Sequence, residues 1–215
     1  MATKLTVYQG ACATLGVRRL ASLTENQLSR RELDGVFERG AIKQCLSMAQ
    51  WKFAVRAQRL EYDPGIEPDF GLRRAFRKPS DWVRTTAVCS DEYYSEPIIG
   101  TNIADEAGFW WADIDTLYVK YVSDDDQYGG DYGLWPENFS AMVECFFAKE
   151  VCLRLTNDKE LKATVDKDFE AILMKSKNTD AMDDGTKFPP LGSWSRARFS
   201  RTSRRDRGNR GNLIG

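Results

Sequence analysis

Arginine is concentrated at the carboxyl end of this chain of 215 residues. Residues 192–215 contain seven arginines, one aspartate and no lysine. A guanidinium group is permanently charged and binds phosphate or carboxylate groups through paired hydrogen bonds. Because the whole chain has a net charge of −1, the charge of +6 on this segment leaves −7 for residues 1–191. This asymmetry predicts an arm that binds a nucleic acid, an anionic membrane or an acidic protein surface.

The arm also carries aromatic residues among its arginines. Tryptophan and arginine are frequent anchors of protein interfaces, whereas the rest of the arm is too polar to form a core of its own. We therefore expect it to bind a partner, with a disordered solubilising tail as the alternative. The candidate partner-binding residues of the arm are Trp194, Arg196, Arg198, Phe199, Arg201, Arg204, Arg205, Arg207 and Arg210.

Composition limits the catalytic chemistry of the rest of the chain. The sequence has no histidine, which excludes the catalytic triads and zinc sites that require an imidazole. Asp124, Asp125 and Asp126 resemble the start of a calcium loop, but Trp135 stands where such a loop needs its final glutamate. No spacing singles out a pair among the 32 acidic residues for glycoside hydrolysis. We predict no catalytic residue, no cofactor and no metal site.

Four helices are predicted from apolar residues spaced three and four apart. The second is expected to start at a capping box, Ser29 to Glu32, and to continue as one long rod. The third follows Pro136 and is apolar around most of its circumference, so it is either central in a bundle or buried by a neighbouring subunit. The fourth is expected to open at Asn157. The predicted helices cover about residues 5–16, 29–57, 136–155 and 158–177.

The region between the second and third helices, about residues 58–125, is predicted to be rich in β-structure. Ser80 is expected to cap a short helical turn. A hairpin is expected with arms at about residues 93–103 and 109–122, joined by turn residues at 105–108. Three aromatic residues follow that turn, Phe109, Trp110 and Trp111. They either contact a partner or cover the small sheet.

The expected fold is therefore α+β and mainly helical. It combines a bundle of about four helices, a small antiparallel β-hairpin or sheet subdomain, and an extended C-terminal arm. We expect residues 1–191 to form the body and residues 192–215 the arm. Neither a secretory signal nor a run of about 18 apolar residues is visible, so we expect a protein made in the cytosol without a membrane span. The five widely spaced cysteines are expected to be reduced and buried.

The order of several motifs resembles that of one protein family. In chain order the motifs are a helix ending in Leu15-Gly16, then Trp51-Lys-Phe53-Ala54, Lys78-Pro79-Ser-Asp81-Trp82, the strand Leu117-Tyr-Val-Lys-Tyr-Val122, and Leu134-Trp-Pro136-Glu-Asn-Phe139. Over about residues 5–180 this order and spacing is similar to the tail tubular protein A family. These proteins are the head-to-tail adaptors, or head-tail connectors, of short-tailed bacteriophages. The arginine-rich arm lies beyond the part that can be aligned.

The resemblance implies a structural virion protein and no enzyme. Adaptors of this family form a ring, typically of twelve copies, beneath the portal protein, and the ring presents a platform for the tail nozzle, a protein of the tail tubular protein B type. Genomic DNA then passes through the channel without specific binding. The C-terminal extension commonly reaches the portal, and Phe109, Trp110 and Trp111 would contact the nozzle or a neighbouring subunit. The implied location is the head–tail interface of the virion, after assembly in the host cytoplasm.

Two other functions stay open from the residues. A nucleic-acid-binding protein could use the arm to neutralise phosphates, with an affinity that falls steeply with salt, although the acidic body weighs against it. An adaptor with additional peptidoglycan hydrolase activity is the second alternative, because some adaptors that resemble this chain are credited with wall cleavage. Nothing in the sequence identifies its acid and base.

Overall fold

The chain folds as an α+β protein with five α-helices and two three-stranded antiparallel sheets in the part that is described. The computed structural model describes residues 2–66, 68, 71–95 and 97–183. The helices are α1 (Lys4–Thr14), α2 (Leu28–Glu38), α3 (Ala41–Ser47), α4 (Glu137–Thr156) and α5 (Lys159–Met182). The strands are β1 (Val55–Glu61), β2 (Arg74–Arg77), β3 (Trp82–Cys89), β4 (Ile103–Glu106), β5 (Phe109–Ala112) and β6 (Thr116–Ser123). Met1–Asp180 form one compact unit and Ala181–Gly215 another, and of the second unit only residues 181–183 are described.

The prediction of one long helix over residues 29–57 is wrong. Two helices, α2 and α3, occupy most of this range, and β1 begins after them. Gly40 separates the two helices with φ of +79°, a left-handed conformation that glycine adopts without steric cost and that ends a right-handed helix. The expected capping box is also absent: Gln27 is the N-cap of α2 and makes no side-chain cap hydrogen bond. After α3 the indole of Trp51 donates to the carbonyl of Cys45 at 3.0 Å, which fixes the chain as it leaves the helix.

α4 is the central helix of the helical part. Nine of its twenty residues are buried, and α1, α2 and α3 pack against it. On the side of α5, the rings of Phe146 and Phe169 lie 5.7 Å apart. The buried residues are Phe139, Met142, Val143, Cys145, Phe146, Phe147, Ala148, Val151 and Cys152. The wide apolar circumference of α4 is therefore covered largely by its own chain.

The start of α5 differs by one residue from the expected cap at Asn157. The carboxylate of Asp158 accepts hydrogen bonds from the backbone N–H groups of Glu160 and Leu161, at 2.8 and 3.1 Å. Asn157 instead ends α4, in the left-handed conformation with φ of +51°. Aspartate is as good an N-cap as asparagine, so the tertiary path decides between the two neighbours.

The first sheet has the strand order β1-β6-β3 and the second the order β2-β5-β4. β4 and β5 form a hairpin whose turn, Ala107-Gly108, lies within the predicted turn. The predicted arms are wrong, because residues 109–122 form two strands, β5 and β6, in different sheets. The carboxylate of Asp113 accepts a hydrogen bond from the backbone N–H of Arg73 at 2.7 Å. This side-chain hydrogen bond takes the place of a backbone hydrogen bond between strands where the chain passes from one sheet to the other. The helical turn expected after Ser80 is also wrong, since residues 82–89 form β3.

Buried residues form two clusters. The larger lies among the helices, and the smaller is made by residues of both sheets: Phe76, Val88, Trp110, Ala112, Leu117, Val119 and Tyr121. All five cysteines are free and buried, as the sequence predicted. Among the described residues, no helix combines the length and the apolar character that a membrane crossing requires.

Candidate partner-binding surface

The two predicted sets of partner-binding residues fall in different parts of the chain. The arm residues Trp194, Arg196, Arg198, Phe199, Arg201, Arg204, Arg205, Arg207 and Arg210 lie outside the described residues. The second set, Phe109 to Trp111, lies in β5 and is described.

Successive side chains of β5 point to opposite faces of the second sheet. Trp110 points inward and is fully buried, and its indole N–H donates to the hydroxyl of Thr85 at 3.1 Å. Phe109 and Trp111 point outward and are half-buried, with ring centroids 6.0 Å apart. Trp110 therefore covers the sheet and is not available to a partner in this fold. Of the three predicted residues, Phe109 and Trp111 form a surface that a partner can reach.

Charged residues of the neighbouring strands flank this aromatic pair. Arg77 of β2 and Glu106 of β4 both stand opposite Phe109 in the strand register. The Arg77 guanidinium lies 5.6 Å from the centroid of the Phe109 ring and 3.3 Å from the carboxylate of Asp63. Aromatic rings beside an arginine are typical of protein interfaces, because they bury a large area at a small cost in side-chain entropy.

Lys78, which the sequence did not single out as functional, fixes the hairpin that carries this surface. Its side chain is only 8% exposed, and its ammonium group forms an ion pair with Asp105 of β4. The same group lies 3.6 Å from the ring centroid of Trp82. Its backbone N–H donates to the carbonyl of Gly108 at 3.0 Å. The motif from Lys78 to Trp82 was visible in the sequence. The ion-pair partner of Lys78, Asp105, is 27 residues further along the chain, so the sequence did not show the pair.

Asp81 ties the strands of the first sheet together. Its carboxylate accepts from Arg56 at 2.9 Å, from the hydroxyl of Ser123 at 2.5 Å and from the phenol of Tyr121 at 3.2 Å. Burial by itself would raise the pKa of Asp81, but the hydrogen bonds from Ser123 and Arg56 outweigh it and hold the pKa below its usual value. The pKa of the Tyr121 phenol is raised by burial and then by the charge of Asp81. These contacts join β1 and β6 to the turn before β3.

An aromatic cluster joins the start of β1 to the start of α4. The ring of Phe139 lies 4.9 Å from Trp51, 4.8 Å from Phe53 and 5.0 Å from Trp135, measured between centroids. The indole N–H of Trp135 donates to the carbonyl of Gly129 at 2.9 Å. This cluster sets the position of the helical part relative to the first sheet.

The described residues contain no group of three or more acidic or cysteine side chains placed to hold a metal ion. Within the same residues, Glu144 is the carboxyl group whose pKa is raised, and the cause is burial. Its carboxylate packs on the backbone of α1 at Gly10, where a Cβ atom would overlap it. The raised pKa therefore reflects close helix packing between α1 and α4.

Replacing Glu144 with glutamine should stabilise the protein at neutral pH. Since the folded pKa lies above the unfolded value of about 4.5, the protonated form is favoured by folding and this contribution is lost as the pH rises through the folded pKa. Thermal unfolding should give a higher midpoint for the variant at about pH 7 and no difference at about pH 4. The control is Glu150→Gln, an exposed residue of the same helix. A shift of equal size at both pH values would exclude this explanation.

Several residues of the aromatic cluster and of the Asp81 contacts belong to the motifs quoted from the sequence. Trp51, Phe53 and Phe139 are in the aromatic cluster. Asp81 and Tyr121 hydrogen-bond to each other. No protein-family model matches the chain, and a comparison with curated proteins gives no match either.

Proposed function

We propose that this chain is a structural virion protein, a head-to-tail adaptor that forms a ring under the portal of a bacteriophage capsid. In this role it links the portal to the tail nozzle and forms part of the DNA ejection channel at the head–tail interface. The observation that carries the proposal is the order of the sequence motifs, together with the pairing of these motifs in space.

The motifs meet in two places. Trp51 and Phe53 of the second motif contact Phe139 of the last motif, 4.9 and 4.8 Å between ring centroids. Asp81 of the third motif accepts a hydrogen bond from Tyr121 of the strand motif. A framework shared with the family would bring its motifs into contact in this way. Their contacts support the view that the resemblance reflects one shared framework.

The remaining features of the chain take their roles from this proposal. The helices around α4 form the bundle of the adaptor body, and typically twelve copies form the ring. Phe109 and Trp111 contact the nozzle or a neighbouring subunit, and the arginine-rich arm docks on an acidic surface of the portal. The charge of −7 on residues 1–191 favours passage of the genome through the ring without specific binding. Assembly takes place in the host cytoplasm, and no catalytic step is assigned to the chain.

Deleting residues 192–215 should abolish the complex with the portal and leave the body folded. The reason is that the arm carries a net charge of +6 and the aromatic anchors. The full chain and the truncated chain are each mixed with the portal protein of the same bacteriophage. Mass photometry and electron microscopy then report the complex, and circular dichroism reports the fold. The full chain should give a ring on the portal with a mass that matches about twelve copies of each protein.

A second variant keeps the length of the arm and replaces its seven arginines with glutamine. Loss of the complex in both variants assigns the effect to charge, and loss in the truncation alone assigns it to the aromatic residues. Normal rings formed by the truncated chain would overturn the role of the arm. If the full chain forms no complex with the portal, and binds duplex DNA with an affinity that falls steeply between about 0.05 and 0.2 M salt, the nucleic-acid alternative replaces the adaptor proposal.

A further inference from the structure

The loop that follows β3 presents a tyrosine to solvent. This tyrosine loop consists of residues 90–95, and the side chain of Tyr93 within it is 80% exposed. Tyrosine is frequent among the residues that contribute most to protein–protein binding, because it buries a large area and loses little side-chain entropy. The tyrosine loop is therefore a candidate contact surface.

Contacts within the chain hold the tyrosine loop in one conformation. The backbone N–H of Ser95 donates to the carboxylate of Asp91 at 3.0 Å. Tyr94 has a φ of +56°, a left-handed conformation that is unfavourable for a bulky side chain. The ammonium group of Lys120 lies 3.9 Å from the centroid of the Tyr94 ring and helps to keep it there. Strained backbone of this kind is concentrated at binding sites and switches, and here it fixes the position from which Tyr93 projects.

A pocket in the helical part has the composition that a tyrosine side chain needs. This helix pocket lies between α2, α3 and α4 and has a volume of about 200 Å³. Three of its lining residues are apolar and at most 5% exposed: Val36, Ala41 and Phe146. The other three are polar and exposed: Arg39, Gln44 and Glu150. A buried tyrosine needs apolar contact for its ring and a partner for its hydroxyl, and the side chain of Gln44 or Glu150 provides that partner.

Charges beside the loop and beside the pocket are complementary. Glu92, which directly precedes Tyr93, is exposed and forms no ion pair in the part of the chain that the structure describes. Arg39 of the helix pocket is also exposed and has no ion-pair partner among the same residues. Residues 90–99 contain three acids and neither lysine nor arginine. A tyrosine ring in the pocket would therefore bring an acidic loop to an arginine that has no partner.

The tyrosine loop and the helix pocket lie in different parts of one copy. Arg84 of β3 donates to the carbonyl of Ser47, the last residue of α3, and stands opposite Val122. Cys89 ends β3 opposite Tyr118, which is four residues from Val122, or about 13 Å along β6. The loop thus begins at the end of β3 away from α3. Because the tyrosine of the loop is exposed, it does not fill the pocket of its own copy.

We propose that copies of this chain associate head to tail, with Tyr93 of one copy in the helix pocket of the next. The inference rests on the proposed ring and names the contact that builds it. An exposed side chain that fits a pocket elsewhere on the same molecule gives a heterologous contact, which repeats from copy to copy and closes into a ring when the rotation allows. In this contact the Tyr93 ring covers Phe146. Glu92 of the same loop pairs with Arg39 of the next copy.

The test uses the full chain without portal, so that it is independent of the adaptor role. Sedimentation velocity over a concentration series should show wild-type association beyond two copies, and association at least about tenfold weaker for Tyr93→Ala. Tyr93→Phe keeps the ring and removes the hydroxyl, so it should lie between the two. The control, Met174→Ala, removes a side chain of α5 that is 68% exposed and should associate like the wild type.

A second pair of variants tests which surfaces meet. Glu92→Arg and Arg39→Glu should each weaken association at least about fivefold, because like charges then meet at the pocket. Mixing these two variants should restore association, since each contact in an alternating assembly again joins opposite charges. A chain that carries both changes should also associate like the wild type. Both residues are exposed, so circular dichroism should show an unchanged fold for every variant.

Three results would overturn the inference about this contact. They are a Tyr93→Ala chain that associates like the wild type, a charge exchange that restores nothing, and a wild type that stays monomeric at about 1 mM in low salt. An assembly that stops at two copies would show a reciprocal contact and would exclude the head-to-tail arrangement. Normal portal rings with Tyr93→Ala would remove this contact and retain the adaptor role, whereas association through Tyr93 without portal binding would do the opposite.

Discussion

Replacing Phe139 with alanine should lower the free energy of unfolding by about 3–5 kcal/mol. The side chain is 1% exposed, and its ring contacts the rings of Trp51, Phe53 and Trp135. These three rings come from two distant parts of the chain and cannot close over the space left by a deleted phenyl group. Urea denaturation followed by tryptophan fluorescence measures the change, because Trp51 and Trp135 line the new cavity.

Two substitutions serve as controls for this cavity. Phe139→Leu keeps part of the apolar volume and should cost less than the alanine variant. Met174→Ala removes a side chain that is 68% exposed and should change stability by no more than about 0.5 kcal/mol. A loss of less than about 1.5 kcal/mol for Phe139→Ala would show that the aromatic cluster does not hold α4 to the first sheet.

Replacing Asp81 with asparagine should lower the free energy of unfolding by about 2–4 kcal/mol at neutral pH. The change removes the charge that faces Arg56, and it places an amide N–H₂ group among the donors of Arg56, Ser123 and Tyr121. Because the side chain of Asp81 is only 13% exposed, water does not replace the lost contacts fully. Urea denaturation of the variant and the wild type gives the difference directly.

The pH dependence distinguishes a charge effect from a packing effect at Asp81. Its folded pKa lies below the ordinary value of 3.8, so the ionised form contributes stability above that value and loses it as the pH falls through the folded pKa. The wild type and Asp81→Asn should therefore differ fully at about pH 7 and converge as the pH falls below 3.8 and through the folded pKa. Asp126→Asn, on an exposed loop residue, should show no difference at either pH. A gap that stays constant with pH would assign the loss to packing.

The sequence predicted the helices whose ends are marked by a change in the apolar pattern. It missed the break between α2 and α3, because the apolar pattern continues across it. α1 and α4 lie within a few residues of their predicted positions. The break at Gly40 escaped detection because Val36 and Ala41 on either side of it are both buried, so the apolar stripe continues across two helices. Periodicity reports which residues face the core, and it does not report whether one helix or two carry them.

In the β-region, one feature of the candidate surface could have been predicted and the strand pairing could not. Side chains of a strand alternate between its two faces, and this rule places Trp110 on the opposite face from Phe109 and Trp111. The assignment of β5 and β6 to different sheets depends on contacts such as that of Asp113 with Arg73, which sequence spacing does not encode. The same is true of Lys78 and Asp105, whose pairing follows from the tertiary path of the hairpin.

The burial of all five native thiols makes the protein a suitable background for site-specific labelling. Maleimides and other alkylating reagents attack an accessible thiolate, and burial raises the pKa of Cys12, Cys45, Cys89 and Cys145. Cys152 is also fully buried. A single cysteine introduced at Arg19 or Asp126 would therefore react selectively, without prior removal of the native cysteines.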